Sequence, residues 1–165
     1  MVRLRPERVF EATLGSMAES SHPWAHSDFE AFRSHFDDDP FHRMLGITVL
    51  ERRPGLGRIC LTKTESTPSG IGGSVHGGVL ASMVDIAMLV AVFADLKPGE
   101  QPAGTAELGI TYLRQAQGNE IFAEARVIKR GRQLAMIEVD ISDGEGRLCA
   151  KGRTLYAFRA PEASR

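Results

Sequence analysis

The sequence predicts an α+β fold in which an antiparallel β-sheet curves around one long apolar helix. Three observations carry this expectation. The run Val79 to Phe93 is interrupted by one charge only, Asp85, so a helix built on it is apolar nearly all round and has to be buried. Six other segments alternate apolar and polar residues with the period of two that half-buried strands require. The connections among the last four of them are short turns, whereas parallel strands would need crossovers of about a dozen residues or more. One sheet hiding one helix leaves strand edges and an outer face to manage, and oligomerisation is the simple remedy.

Residues 1 to 26 read as a weakly patterned extension, with a short helix from Pro6 to about Gly15. Ser27-Asp-Phe-Glu30 fits a capping box, in which the Ser hydroxyl and the Glu carboxylate satisfy the first helical turn. Phe29, Phe32 and Phe36 follow at i, i+3 and i+7 and give that helix an apolar face. Asp37-Asp-Asp-Pro40 ends it, because proline excludes the residue before it from helical geometry, and the acidic run reads as a solvated cap. Ile47 and Val49, then Ile59 and Leu61, flank the turn signal Arg53-Pro-Gly-Leu-Gly57 and predict a hairpin. The glycine-rich Pro68 to Gly73 leads to the central helix, expected over Gly77 to Leu96 and closed by Lys97-Pro-Gly99. Strands are expected over Thr105 to Leu113, Ile121 to Lys129, Leu134 to Ser142 and Leu148 to Phe158. This divides the chain into an N-terminal helical extension, 1–40, and one domain, 41–160.

A chain of 165 residues is long enough to bury about 70% of the surface its unfolded form exposes, so it needs no disulfide or metal staple. Its 20 basic and 21 acidic residues nearly cancel, which leaves no electrostatic footprint for nucleic acid or an anionic membrane. Cys60 and Cys149 have neither CxxC spacing nor a histidine cluster and read as reduced thiols packing in a cytoplasmic protein. Arg3, Arg5 and Arg8 are interspersed with acidic residues and followed by no apolar h-region, so no targeting segment is expected. Asp85 in the middle of the apolar run argues for a buried core helix rather than a membrane span. His22, His26, His35 and His42 lack ligand spacing, and no metal or cofactor is implied.

An unpaired carboxylate costs several kcal/mol to bury, so Asp85 has to be satisfied, neutralised or used. The helix carrying it opens directly after His76 with Gly77 and Gly78. The first backbone N–H groups of a helix have no intrahelical partner, the dipole there favours negative charge, and the absence of a Cβ lets a substrate carbonyl approach. Taken singly, each residue has an ordinary structural reading: a tight helix start, a helix-flanking histidine, a capped buried acid. Together, on the one buried helix, they point to an oxyanion hole with a nearby acid–base or nucleophilic group.

On these residues the chain resembles the hotdog-fold acyl-CoA thioesterases, specifically the PaaI-type group, whose His-Gly-Gly is followed nine residues after the His by an acid. The resemblance spans residues 40–158 and includes Pro40-Phe41, Leu45-Gly46, Gly109-Ile-Thr-Tyr-Leu-Arg114 and Arg130-Gly-Arg132. It implies that the Gly77 amide is the oxyanion donor, that Asp85 is nucleophile or general base, and that the Thr105 hydroxyl helps to hold the attacking water. It further implies CoA contacts from Tyr112, Leu113 and Arg114 and from Lys129, Arg130, Gly131 and Arg132. The last group is also the densest basic cluster near the expected site and suits CoA phosphates. One departure stands out: relatives carry Asn or Gln six residues before the His, where this chain has Gly70, with Ser69 as the possible substitute.

The expected activity is hydrolysis of an acyl- or aryl-CoA thioester to free acid and CoA. Hotdog enoyl-CoA hydration or dehydration and a non-catalytic acyl-CoA-binding regulator are the competing readings. Gly77 and Asp85 are eight residues apart, about 12 Å along a helix, whereas one carbonyl needs both groups within about 3–3.5 Å. An obligate homodimer with shared sites is therefore expected, and the resemblance implies a dimer of dimers, a homotetramer.

Overall fold

In a computed structural model, which describes residues 28–97 and 100–159, the N-terminal phenylalanines lie on one face of α1 (Phe29–Asp37), with Phe32 and Phe36 fully buried. The cap differs from the expected box. Asp28 is the N-cap and its carboxylate accepts from the Glu30 and Ala31 N–H groups; Ser27, like the extension before it, lies outside the described residues. A carboxylate serves as well as a hydroxyl here, so the local composition allowed either position.

The acidic run does end α1, but it also begins a short helix that the sequence reading missed, α2 (Pro40–Leu45). Asp39 caps it by accepting from Phe41 N at 2.8 Å, and Pro40 takes the first helical position, where its missing N–H costs nothing. Gly46 closes it at φ 71°, with no room for a side chain because a Cβ would lie 2.7 Å from the Thr62 carbonyl. Nor is the run merely solvated, since Asp37 Oδ1 accepts from the Val49 N–H and ties α1 to the first strand.

The hairpin forms as expected from β1 (Ile47–Arg53) and β2 (Leu56–Thr62). After α3 (Gly77–Phe93) come β3 (Gln101–Tyr112), β4 (Glu120–Arg130), β5 (Leu134–Asp143) and β6 (Leu148–Arg159). All pair antiparallel in one six-stranded sheet, in the order β1-β2-β4-β5-β6-β3. The central helix ends at Phe93, three residues before the expected Leu96. Arg52 of β1 stops it, with Nη2 donating to the Phe93 carbonyl at 3.1 Å and placing a cation at the negative end of the helix dipole.

The sheet curves around α3, which buries Val79, Met83, Val84, Met88 and Val92 against it. Two glycines set how closely helix and sheet approach. A Cβ on Gly57 would lie 2.7 Å from Ala91 N, and one on Gly152 would lie 2.5 Å from a Val84 methyl. Cys60 and Cys149 are buried and unpaired in β2 and β6, and burial pushes both thiols up. Of the two sheet edges, β1 is covered by α1 and α2, while β3 is exposed along most of its length.

Candidate active site

His76 is the N-cap of α3, and its ring Nδ1 accepts from the Gly78 N–H at 3.0 Å. The ring thereby satisfies one of the first N–H groups of the helix, which have no partner within it. It also divides the two glycines: the Gly78 N–H is consumed, and the Gly77 N–H is left without a partner among the described residues. Tyr112, at the end of β3, lies over the same residue. Its hydroxyl donates to the Gly77 carbonyl at 2.8 Å, and a Cβ on Gly77 would meet its ring at 3.2 Å. Glycine is thus needed at 77 for clearance as well as for approach.

Asp85 faces β3, where the Thr105 hydroxyl donates to its Oδ1 at 2.8 Å. The carboxylate is partly exposed rather than sealed in the core, because the strand it faces is a sheet edge. Thr105 sits between two register shifts in the β3–β6 ladder, at Pro102/Gly104 and Thr105/Glu107. Gly104 takes φ 119°, open to glycine alone. Bulges re-aim side chains next to functional sites, and these turn the Thr105 hydroxyl onto the helix. Tyr156, the cross-strand partner of Thr105, is buried. Burial first, and then the Asp85 charge, push its phenol up to about 12, so it stays neutral.

β3 runs opposite to α3, so that Thr105 meets Asp85 while Tyr112 meets Gly77. A cavity of about 400 Å³ opens beside Gly77 and is lined by His76, Leu80, Tyr112, Leu113 and Arg114. His76, Gly77, Tyr112, Leu113 and Arg114, expected from the sequence, do come together there, and Leu80 joins them unforeseen. The basic turn lies elsewhere: Arg130, Gly131 and Arg132 line a second cavity of about 820 Å³ near the other end of α3, with Lys97, Glu100 and Arg159. Lys129 is exposed and is not part of that lining. Arg130 is not a free cation, because its Nη2 donates to Glu100 Oε2 at 2.5 Å. Within one chain, therefore, the Gly77 end, the Asp85–Thr105 pair and the basic turn are three separate places.

Gly70 lines the first cavity, and a side chain there would meet Ser74 Oγ at 2.9 Å. Ser69 is exposed, bridges to Val75 and is not in the lining. Gln115 is in the lining and was not foreseen. It follows the end of β3, where strand periodicity carries no information. Among the described residues no His, Cys, Asp and Glu cluster could hold a metal, and no helix is long and apolar enough to cross a membrane.

One long helix wrapped by six antiparallel strands is the hotdog arrangement, and at its start it presents an amide unpaired among the described residues, with a hydrogen-bonded carboxylate further along. The family model described as Thioesterase superfamily matches residues 72–150, which contain both groups. Human acyl-coenzyme A thioesterase 13 is 34% identical over 116 residues, covering 68% of this chain and 81% of that protein. The crystal structure of zebra fish thioesterase superfamily member 2 is 29% identical and superposes with a TM-score of 0.67 over 78% of this chain and 96% of that one. The E. coli PaaI protein from the phenylacetic acid degradation operon shares the fold at 22% identity, with a TM-score of 0.67 over 78% of this chain and 90% of that one. The chain belongs to the thioesterase superfamily.

Proposed function

We propose that the protein hydrolyses acyl-CoA thioesters, releasing a carboxylic acid and CoA. The observation that carries this is the pairing on one helix of a Gly77 N–H, unpartnered among the described residues, with an Asp85 carboxylate held by Thr105. The curated relatives whose names specify acyl-CoA thioesterase activity support the substrate class. The Gly77 N–H receives the carbonyl oxygen as it becomes an oxyanion, and one such donor is commonly worth about two to three orders of magnitude in rate. His76 acts behind it, by holding the Gly78 N–H and the helix start in place. Asp85 either attacks the carbonyl carbon or takes a proton from water, with Thr105 fixing one carboxylate oxygen in both cases. The thiolate of CoA leaves and water supplies the oxygen of the acid.

Because the two groups lie about 12 Å apart on one helix, the complete site is shared between two copies whose α3 helices run antiparallel. The exposed edge of β3 is the surface available for that pairing. The cavity lined by Arg132, Lys97 and Arg159 takes the phosphates of CoA. The unpaired buried cysteines suit a reducing compartment such as the cytoplasm.

The experiment is Asp85→Asn, assayed by CoA release. The amide is nearly isosteric but cannot act as base or carboxylate nucleophile, and a loss of at least about 100-fold is expected. A folded variant that keeps more than about a third of the activity would make Asp85 structural, against an effect of that size. The shared site is tested by mixing Asp85→Asn with Gly77→Pro, which lacks the donor. Each parent should be inactive, while random exchange should restore about a quarter of wild-type activity through heterodimers with one intact site. Failure to recover despite proven exchange would place the site within one chain.

A further inference from the structure

Arg130 ends β4 with its guanidinium 4.2 Å from the centroid of the Phe158 ring. Its side chain is only 11% exposed, its Nη2 donates to Glu100, and its Nε lies 4.0 Å from Asp95. Its Nε and Nη1 are buried without a hydrogen-bond partner. Glu100 is held just as firmly. The same Oε2 accepts from the Lys97 N–H at 3.0 Å, and the Glu100 N–H donates to the Lys97 carbonyl at 3.1 Å. One carboxylate therefore closes the turn before β3 and occupies Arg130. In the cavity they share, Lys97, Arg132 and Arg159 have no ion-pair partner among the described residues, and Glu100 is the one acidic residue of the lining.

We propose that Glu100 is a specificity-determining residue: its carboxylate occupies the donor of Arg130 that a ligand phosphate would otherwise take, and so weakens the hold of this cavity on CoA thioesters and on released CoA. The inference rests on the reading of this cavity as the phosphate end of the acyl-CoA site. Carboxylate and phosphate oxygens compete for the same guanidinium N–H groups, so Glu100 and a phosphate compete for Arg130 Nη2. Glu100 also sets a negative charge among cations that would otherwise act on the ligand together. A hydrolase gains from this arrangement, since a product held too tightly by its phosphates delays the next turnover.

The test is calorimetric binding of two probes, CoA and pantetheine, to wild type, Glu100→Gln and Arg132→Ala. Gln keeps an acceptor for Lys97 N and Arg130 but removes the charge. At a separation of about 6 Å in a partly screened site this should tighten CoA binding about three- to tenfold, with the pantetheine Kd unchanged. Unchanged or weaker CoA binding by Glu100→Gln, while Arg132→Ala weakens it, would overturn the role of Glu100 and leave the cavity as the CoA site. Unchanged CoA binding in both variants would remove the reading of the cavity and the role of Glu100 together. If Glu100→Gln does not fold, Glu100→Asp withdraws the charge by one methylene and should tighten CoA binding about twofold; no gain there overturns the proposal equally.

Discussion

Thr105→Val removes a single hydroxyl and leaves the β-branched shape that suits a strand. The hydroxyl donates to Asp85 Oδ1 at 2.8 Å, and this is the hydrogen bond that fixes the carboxylate. Hydrogen bonds to charged groups contribute about 1.5–3 kcal/mol, equivalent to about 10- to 150-fold in rate. Asp85 is partly exposed in the single chain, so the lower end applies, and kcat should fall about tenfold with KM little changed. Steady-state CoA release from a medium-chain acyl-CoA measures it, and Thr105→Ser should stay near wild type. The sharper measurement is the double-mutant cycle with Asp85→Asn. If Thr105 acts by holding the carboxylate, it has no reactive group left to hold in that background, only an inert amide, and Thr105→Val should cost less than about twofold there. The same tenfold loss in both backgrounds would refute the reasoning and assign Thr105 a role independent of Asp85.

Gly152→Ala introduces a methyl where a Cβ would lie 2.5 Å from a Val84 methyl. Overpacking of this kind costs about 1–3 kcal/mol, which should lower the melting temperature by about 2–10 °C, and Val84→Ala should recover part of the loss. Tyr156, pushed up to about 12 by burial and then by Asp85, contributes stability below the ordinary tyrosine value near 10, which is lost as the pH rises towards about 12. The difference amounts to about 2–3 kcal/mol. Denaturant titrations between those pH values should show this decline in wild type and a flatter profile in Tyr156→Phe.

What was legible in the sequence was what local patterning controls. The period of two in Ile121 to Lys129 and Leu134 to Ser142 and the turn residues between them sufficed for the antiparallel meander, within one residue at each end. The apolar run sufficed for the central helix, and His76-Gly-Gly for its start. Its end is not legible locally, because the carbonyl of Phe93 is met by Arg52, a residue of β1. α2 is hidden for a different reason: its signal, Asp39-Pro40 followed by Gly46, is complete but brackets a helix of only six residues, and the same proline reads as the end of α1. The basic turn shows the limit most clearly. Arg130 and Arg132 look equivalent in sequence, yet Glu100, thirty residues away, takes up one and not the other. Nothing local distinguishes them.

The proposed dimer makes a definite demand on β3. Its first half is broken by two register shifts, contains Pro102, and turns Thr105 onto Asp85. Both devices discourage a further strand from pairing there. Its second half, from Glu107 to Tyr112, pairs with β6 without a break and leaves Leu108 and Tyr112 exposed. That regular half is where a second copy can add. Antiparallel pairing about a two-fold axis keeps the sum of opposed residue numbers constant. Directly opposed residues share a face, so in this regular half a two-fold axis has to pass through a residue, and one at Leu108 or Gly109 would lay the Tyr112 end of one copy beside the Thr105 end of the other. Tyr112 holds Gly77 and Thr105 holds Asp85, so under the proposed shared site a partner added along the unbroken half would carry the donor of one chain towards the carboxylate of the other. On that proposal the irregular half of β3 serves the chemistry and the regular half the assembly. An axis displaced beyond these two residues would move each opposed pair by two positions for every residue of displacement, about 7 Å along the strand, beyond the reach of a single carbonyl group.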